Sequence, residues 1–87
     1  RLCAVATDPA SGRQMEVWTT MPGMQLYTAN TLPEQVGKGG SRFGKNSGFC
    51  LETQYFPNSM RHNHFPSPIL KAGATYHHKT LFKLKGI

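Results

Sequence analysis

The stretch M-E-V-W-T-T-M-P-G-M-Q-L-Y-T-A, residues 15 to 29, contains two strand-like runs on either side of M-P-G. Apolar side chains recur two positions apart in its first six residues and in its last six, as in β-strands whose successive side chains point to opposite faces. Between these two runs, M-P-G is expected to reverse the chain, because proline and glycine favour turns. The pattern predicts two short strands, at 15–20 and 24–29, joined by a tight turn.

The flanking sequence predicts further strands and no helix. The apolar run at 2–7 ends at the turn residues D-P-A-S-G and should form a hairpin with 15–20, so three successive strands predict a meander. Strands are also predicted at 48–54 and 75–84. Residues 30–47 are polar and glycine-rich, which predicts a long surface loop. Because no apolar period of 3.6 residues is visible, the sequence predicts an all-β fold.

The composition limits size and partners. Eighty-seven residues suffice for one small domain, placed at 1–87. The formal net charge is +6, but the basic residues are scattered along the chain rather than clustered, so no nucleic-acid partner is predicted. A basic nucleic-acid-binding module remains the weaker alternative. The absence of a long apolar stretch and of a signal peptide predicts no membrane partner.

Cysteine and histidine usage bears on location and on metal binding. Cys3 and Cys50 lie in apolar runs without metal-type spacing, which predicts buried free thiols, with a disulfide as the alternative. A reducing, cytoplasmic location follows from free thiols. The four histidines are His62, His64, His77 and His78. Neither pair has a third ligand at suitable spacing, and no phosphate loop or nucleophile elbow is present, so we predict no metal and no cofactor.

One of the four carboxylates, Glu52, lies in the otherwise uncharged run G-F-C-L-E-T-Q at 48–54. Acidic residues are depleted in strands and are seldom buried without a partner. In strand geometry Glu52 shares a face with Cys50 and Gln54. It is either a structural residue paired with a cross-strand lysine or a catalytic base aimed into a sugar or nucleotide pocket. The pattern alone leaves both interpretations open.

Four segments of the chain carry a resemblance to a known family. They are V-W-T-T-M-P-G-M-Q-L-Y-T-A-N (17–30), S-G-F-C-L-E-T-Q (47–54), F-P-S-P-I-L-K (65–71) and T-Y-H-H-K-T-L-F-K-L (75–84). In this order they closely resemble the C-terminal part of the galactose mutarotases, or aldose 1-epimerases. The resemblance implies an antiparallel β-sandwich that is part of a larger supersandwich. It also implies that the chain, which starts without Met, is a C-terminal fragment.

The resemblance implies an isomerase that interconverts the α and β anomers of hexoses such as galactose and glucose, with the small sugar as partner. Glu52 matches the family's catalytic base, and Gln25, in the motif G-x-Q-x-Y-T, matches a residue that contacts sugar hydroxyls. The family's general acid is a histidine upstream of this chain, so the fragment alone is expected to be inactive. A non-catalytic carbohydrate-binding relic or truncated product is the alternative, and the oligomeric state is left open.

Overall fold

The computed structural model describes residues 1–86 and confirms the all-β class. Its seven strands are β1 (Leu2–Thr7), β2 (Gln14–Thr19), β3 (Gly23–Tyr27), β4 (Gln35–Val36), β5 (Arg42–Phe43), β6 (Cys50–Gln54) and β7 (Thr80–Lys85). The helical content of these residues consists of two short 3-10 turns, at Lys38–Gly40 and Ser59–Arg61. Neither turn approaches the length and apolarity needed for a membrane span.

Strands β1, β2 and β7 form one antiparallel sheet, called sheet A, with β2 in the middle. The predicted β1–β2 hairpin is confirmed. Asp8 stabilises its turn by accepting hydrogen bonds from the Ser11 hydroxyl at 2.6 Å and from the Ala10 amide at 3.2 Å. The bonds from Ser11 and Ala10 lower the pKa of the Asp8 carboxyl.

The last strand begins later than predicted: β7 begins at Thr80, whereas the alternating sequence suggested a start at Thr75. Its partner β2 ends at Thr19, so the residues before Thr80 have no neighbouring strand to pair with. One further contact extends the pairing: the Thr20 amide donates to the Lys79 carbonyl at 3.0 Å.

The predicted meander of three consecutive strands is wrong, because β3 does not pair with β2. Instead β3 pairs antiparallel with β6, forming a two-stranded sheet called sheet B. Pro22 has no amide hydrogen to donate, and the guanidinium of Arg1 donates to the Met21 and Pro22 carbonyls at 2.8 Å each. The chain leaves sheet A at this turn.

The inner faces of sheets A and B are joined by side chains. Val17 is fully buried on the inner face of sheet A, and the hydroxyls of Thr53 on β6 and Thr80 on β7 lie 2.9 Å apart. The facing antiparallel sheets agree with the predicted sandwich class. Large apolar side chains on these inner faces, Leu26, Phe82 and Leu84 among them, remain exposed to solvent.

The segment 30–47, predicted as a long surface loop, lies at the surface and also contains the small hairpin β4–β5. An exposed ion pair of 3.1 Å joins Glu34 to Arg42 across this hairpin. Gly39 and Gly40 have φ values of 63° and 79°, in the left-handed region that glycine adopts without a Cβ penalty. The glycines thus allow the tight reversal between two strands that are too short to show an alternating pattern.

Candidate functional site

The register of sheet B places the two predicted site residues directly opposite each other. Gln25 on β3 pairs with Glu52 on β6, and both side chains are exposed. Directly opposed residues in an antiparallel pair have Cβ atoms about 4.5–5.5 Å apart and project on the same side of the sheet. The amide and the carboxylate therefore lie side by side.

The face that carries this pair points away from sheet A. Because side chains alternate along a strand, Thr53 lies on the opposite face of β6 from Glu52, and the Thr53 hydroxyl contacts Thr80 of sheet A. The next pair on the outward face is Tyr27 opposite Cys50. The site is thus an open strand surface that a ligand can approach without entering the space between the sheets.

Three of the four carboxylates have partners that account for them. Asp8 stabilises the β1–β2 turn, and Glu34 pairs with Arg42. Glu16, on the outer face of sheet A, accepts from the Trp18 indole at 3.2 Å and from the Lys85 ammonium at 3.3 Å. The hydrogen bond from Trp18, followed by the one from Lys85, lowers the pKa of Glu16.

Glu52 differs from the other three carboxylates. Its cross-strand neighbour is Gln25 rather than a lysine, and neither ion pair formed among residues 1–86 includes it. The cross-strand lysine that the structural interpretation requires is therefore absent from this part of the chain. An unpaired carboxylate can accept protons and hydrogen bonds, whereas the Gln25 amide both donates and accepts. Together the two groups suit a ligand rich in hydroxyl groups.

The cysteines are free, as predicted, but they are not buried. Cys50 is exposed and Cys3 is half-buried. Cys50 lies on the outward face of sheet B, and Cys3 lies where the β1–β2 register shifts between Leu2 and Ala4. Apolar neighbours in sequence suggested burial, but these two positions do not face a filled core.

The histidines form no metal-binding cluster in the described chain. His62 and His64 lie in the loop after β6, with ring centroids 5.6 Å apart, and both rings contact Phe65. Among residues 1–86 no group of three or more His, Cys, Asp or Glu side chains is arranged to hold a metal ion.

Sequence reasoning missed the residues behind the candidate site. His78 makes a hydrogen bond of 3.1 Å to the Tyr55 hydroxyl, and Thr80 contacts Thr53. In the strand predicted at 75–84, alternation implies a common face for His78 and Thr80. Alternation contains no information about which strand that face would meet.

Comparison with known proteins identifies the family. The family model described as aldose 1-epimerase matches residues 1–83. Galactose mutarotase of Bos taurus is 49% identical over 84 residues, which cover 95% of this chain. Galactose mutarotase of Homo sapiens is 48% identical over 82 residues, or 93% of this chain, and aldose 1-epimerase of Haemophilus influenzae is 34% identical over 85 residues, or 95%. The chain therefore belongs to the aldose 1-epimerase family.

The matched segment is only part of each relative. It covers 25% of the bovine protein, 24% of the human protein and 25% of the Haemophilus influenzae protein. The chain thus spans about a quarter of the length of the curated relatives it matches.

Proposed function

We propose that this chain is the C-terminal part of an aldose 1-epimerase that interconverts the α and β anomers of hexoses such as galactose and glucose. The observation that carries the proposal is the pairing of Gln25 with Glu52 on an open strand face, where Glu52 is the one carboxylate without a partner among residues 1–86. Membership of the aldose 1-epimerase family supports the reaction class.

In the proposed reaction Glu52 acts as the general base. Its carboxylate takes the proton from the anomeric hydroxyl as the bond between the anomeric carbon and the ring oxygen breaks, and a general acid protonates that oxygen. The resulting aldehyde rotates about its bond to the next carbon. The same steps in reverse close the ring from the other face and return both protons, so the reaction needs no cofactor.

Gln25 is proposed to bind the substrate. Its side-chain amide donates to the Leu26 carbonyl at 3.3 Å, a long bond on an exposed strand that a sugar hydroxyl can replace. Since the Gln25 and Glu52 side chains are neighbours across the strands, a pyranose that reaches one also reaches the other. The amide would fix the orientation of the ring while the carboxylate acts on the anomeric proton.

The general acid is proposed to lie outside these 87 residues. The two ring nitrogens of His78 contact Tyr55, just beyond the end of β6, and Thr20, and neither contacts Glu52. The exposed apolar side chains Phe82 and Leu84, together with the greater length of the relatives, support further strands in the complete protein.

The two free thiols favour a reducing, cytoplasmic location.

The test is Glu52→Gln in the complete protein. The variant should keep the fold and slow anomer interconversion by about two to four orders of magnitude, as expected for loss of a positioned general base. Polarimetry of freshly dissolved α-galactose measures the rate. Glu34→Gln is the matched control, because it makes the same change at an exposed carboxylate in the β4–β5 hairpin.

Two outcomes would count against the proposal. A Glu52→Gln rate close to that of the wild type would show that Glu52 is not the base. A wild-type protein that binds galactose without accelerating interconversion would favour the alternative of a non-catalytic carbohydrate-binding relic.

A further inference from the structure

Two chains of hydrogen bonds join the region of β6 to sheet A directly behind the candidate site. We propose that these bonds, called here the polar seam, position the Glu52 carboxylate for proton transfer. The seam consists of Thr19, Thr20, Thr53, Tyr55, His78 and Thr80. This role rests on the proposed function of Glu52 as the base.

The first chain consists of three threonine hydroxyls. Thr53 Oγ1 lies 2.9 Å from Thr80 Oγ1, which lies 3.0 Å from Thr19 Oγ1. Thr19 is only 3% exposed, and its hydroxyl accepts from the Met21 amide at 3.0 Å. These hydrogen bonds therefore connect β6 through β7 to Thr19, a well-anchored residue of the central strand of sheet A.

The second chain passes through His78. Its Nε2 lies 3.1 Å from the Tyr55 hydroxyl, and its Nδ1 lies 3.0 Å from Thr20 Oγ1. The Tyr55 and His78 rings also meet edge to face, with centroids 5.7 Å apart. Thr20 Oγ1 accepts from the Lys79 amide at 3.0 Å, which fixes the far end of this chain to the backbone.

The positions of these contacts connect them to the site. Thr53 directly follows Glu52 and projects to the opposite side of β6 from it, and Tyr55 lies just beyond the end of β6 at Gln54. In the described residues sheet B has only two strands, and an isolated two-stranded pair is marginally stable. Attachment to the three-stranded sheet A therefore limits how far the Glu52 backbone can shift.

Polar residues at this contact are informative because apolar ones would join the sheets without needing partners. Among the seam residues Thr19 is buried, whereas Thr20 and Thr80 are exposed, so the seam matters for the geometry that its hydrogen bonds impose and that apolar contacts do not. A displacement of about 1 Å at a catalytic group can cost about a hundredfold in rate. A hydrogen-bonded seam directly behind the base meets this demand for precision.

The test uses Thr53 in the complete protein. Thr53→Val keeps the shape of the side chain but removes the hydroxyl, whereas Thr53→Ser keeps the hydroxyl. We expect kcat of Thr53→Val to fall by about 10- to 100-fold with KM changed by less than about twofold, and Thr53→Ser to recover most of the loss. Thr7→Val is the matched control, since Thr7 is an exposed strand threonine whose hydroxyl bonds the Gln14 side chain at 3.2 Å.

A second comparison separates positioning from a general loss of structure. In a Glu52→Gln background, Thr53→Val should lower the residual rate no further, because both changes act through one carboxylate. Equal losses in both backgrounds would overturn the proposal, as would a wild-type kcat in Thr53→Val when Glu52→Gln alone is impaired. If Glu52→Gln itself retains full activity, the proposed function fails first, and the role of the seam fails with it.

Tyr55→Phe provides an independent variant in case Thr53→Val does not fold. It removes only the hydroxyl that contacts His78 and keeps the aromatic ring. The same lowered kcat with little change in KM is expected. An unchanged kcat in folded Tyr55→Phe would show that the hydrogen bonds through His78 do not help to position Glu52.

Discussion

Gly23→Ala is expected to lower the free energy of unfolding by about 1 kcal/mol. Gly23 is buried at the start of β3, two residues before Gln25. A Cβ at this position would lie 2.8 Å and 2.9 Å from two carbon atoms of the Phe56 ring. Ordinary carbon contacts are about 3.5–4.0 Å, so the ring must retreat by about 0.7 Å.

The magnitude follows from two opposing effects. Phe56 already contacts the Phe65 ring, with centroids 5.0 Å apart, so a displacement of Phe56 disturbs that neighbour too. Overpacking of this kind costs about 1–3 kcal/mol. Replacing glycine by alanine returns about 0.4–1 kcal/mol by restricting the unfolded chain, because the backbone at Gly23 is not in the left-handed region.

Urea denaturation of the complete protein measures this change, with an unaltered slope as the sign that only stability has shifted. Gly48→Ala is the matched control, because a Cβ at Gly48 meets no atom within 4 Å. In a Phe56→Leu background, Gly23→Ala should cost less or become stabilising. The reasoning would be refuted if Gly23→Ala were as stable as Gly48→Ala, or if Phe56→Leu did not relieve its cost.

Three further predictions concern substrate binding, pH and the isolated chain. Gln25→Ala should lower kcat/KM by an amount equivalent to about 1–3 kcal/mol, because a sugar hydroxyl loses its partner; an unchanged value in a polarimetric assay would remove Gln25 from the site. The pKa of Glu16 is lowered in the folded protein, so it binds fewer protons than in the unfolded chain. Stability should therefore fall as the pH drops below the ordinary glutamate value of 4.5, and thermal melts of Glu16→Gln should show a weaker fall. The 87 residues alone should show neither mutarotation nor a cooperative circular dichroism melt, because Phe82 and Leu84 remain exposed and the general acid is proposed to lie outside these residues; catalysis by the isolated chain would contradict this.

The sequence predicted strands better than it predicted their partners. Local alternation and turn residues were sufficient for the β1–β2 hairpin, whose turn is stabilised by Asp8. Alternation specifies which residues share a face, but it does not specify which strand lies alongside. β3 pairs with β6 rather than with its neighbour in sequence, β2, and no local pattern reveals that long-range pairing.

The candidate site was predicted as two separate residues. Gln25 and Glu52 were selected by resemblance to a family, and their side-by-side placement became visible only with the register of sheet B. The burial of Cys50 was predicted wrongly because an apolar sequence does not show whether its face is covered. The seam behind Glu52 joins residues that are 27 positions apart in the case of Thr53 and Thr80, beyond the range of any strand periodicity.

The central position of β2 between β1 and β7 has a consequence for the order of folding during synthesis. Thr19 and Thr80, which meet across β2 and β7, are 61 positions apart. At about 5–20 residues per second, the ribosome needs about 3–12 s to make the chain between them. During that interval the outer edge of β2, which β7 later covers, is unpaired and open to incorrect pairing with other chains. The hydroxyl of Thr53 also acquires its partner only when β7 docks, so the proposed base would be fixed in place after every other described strand has been made.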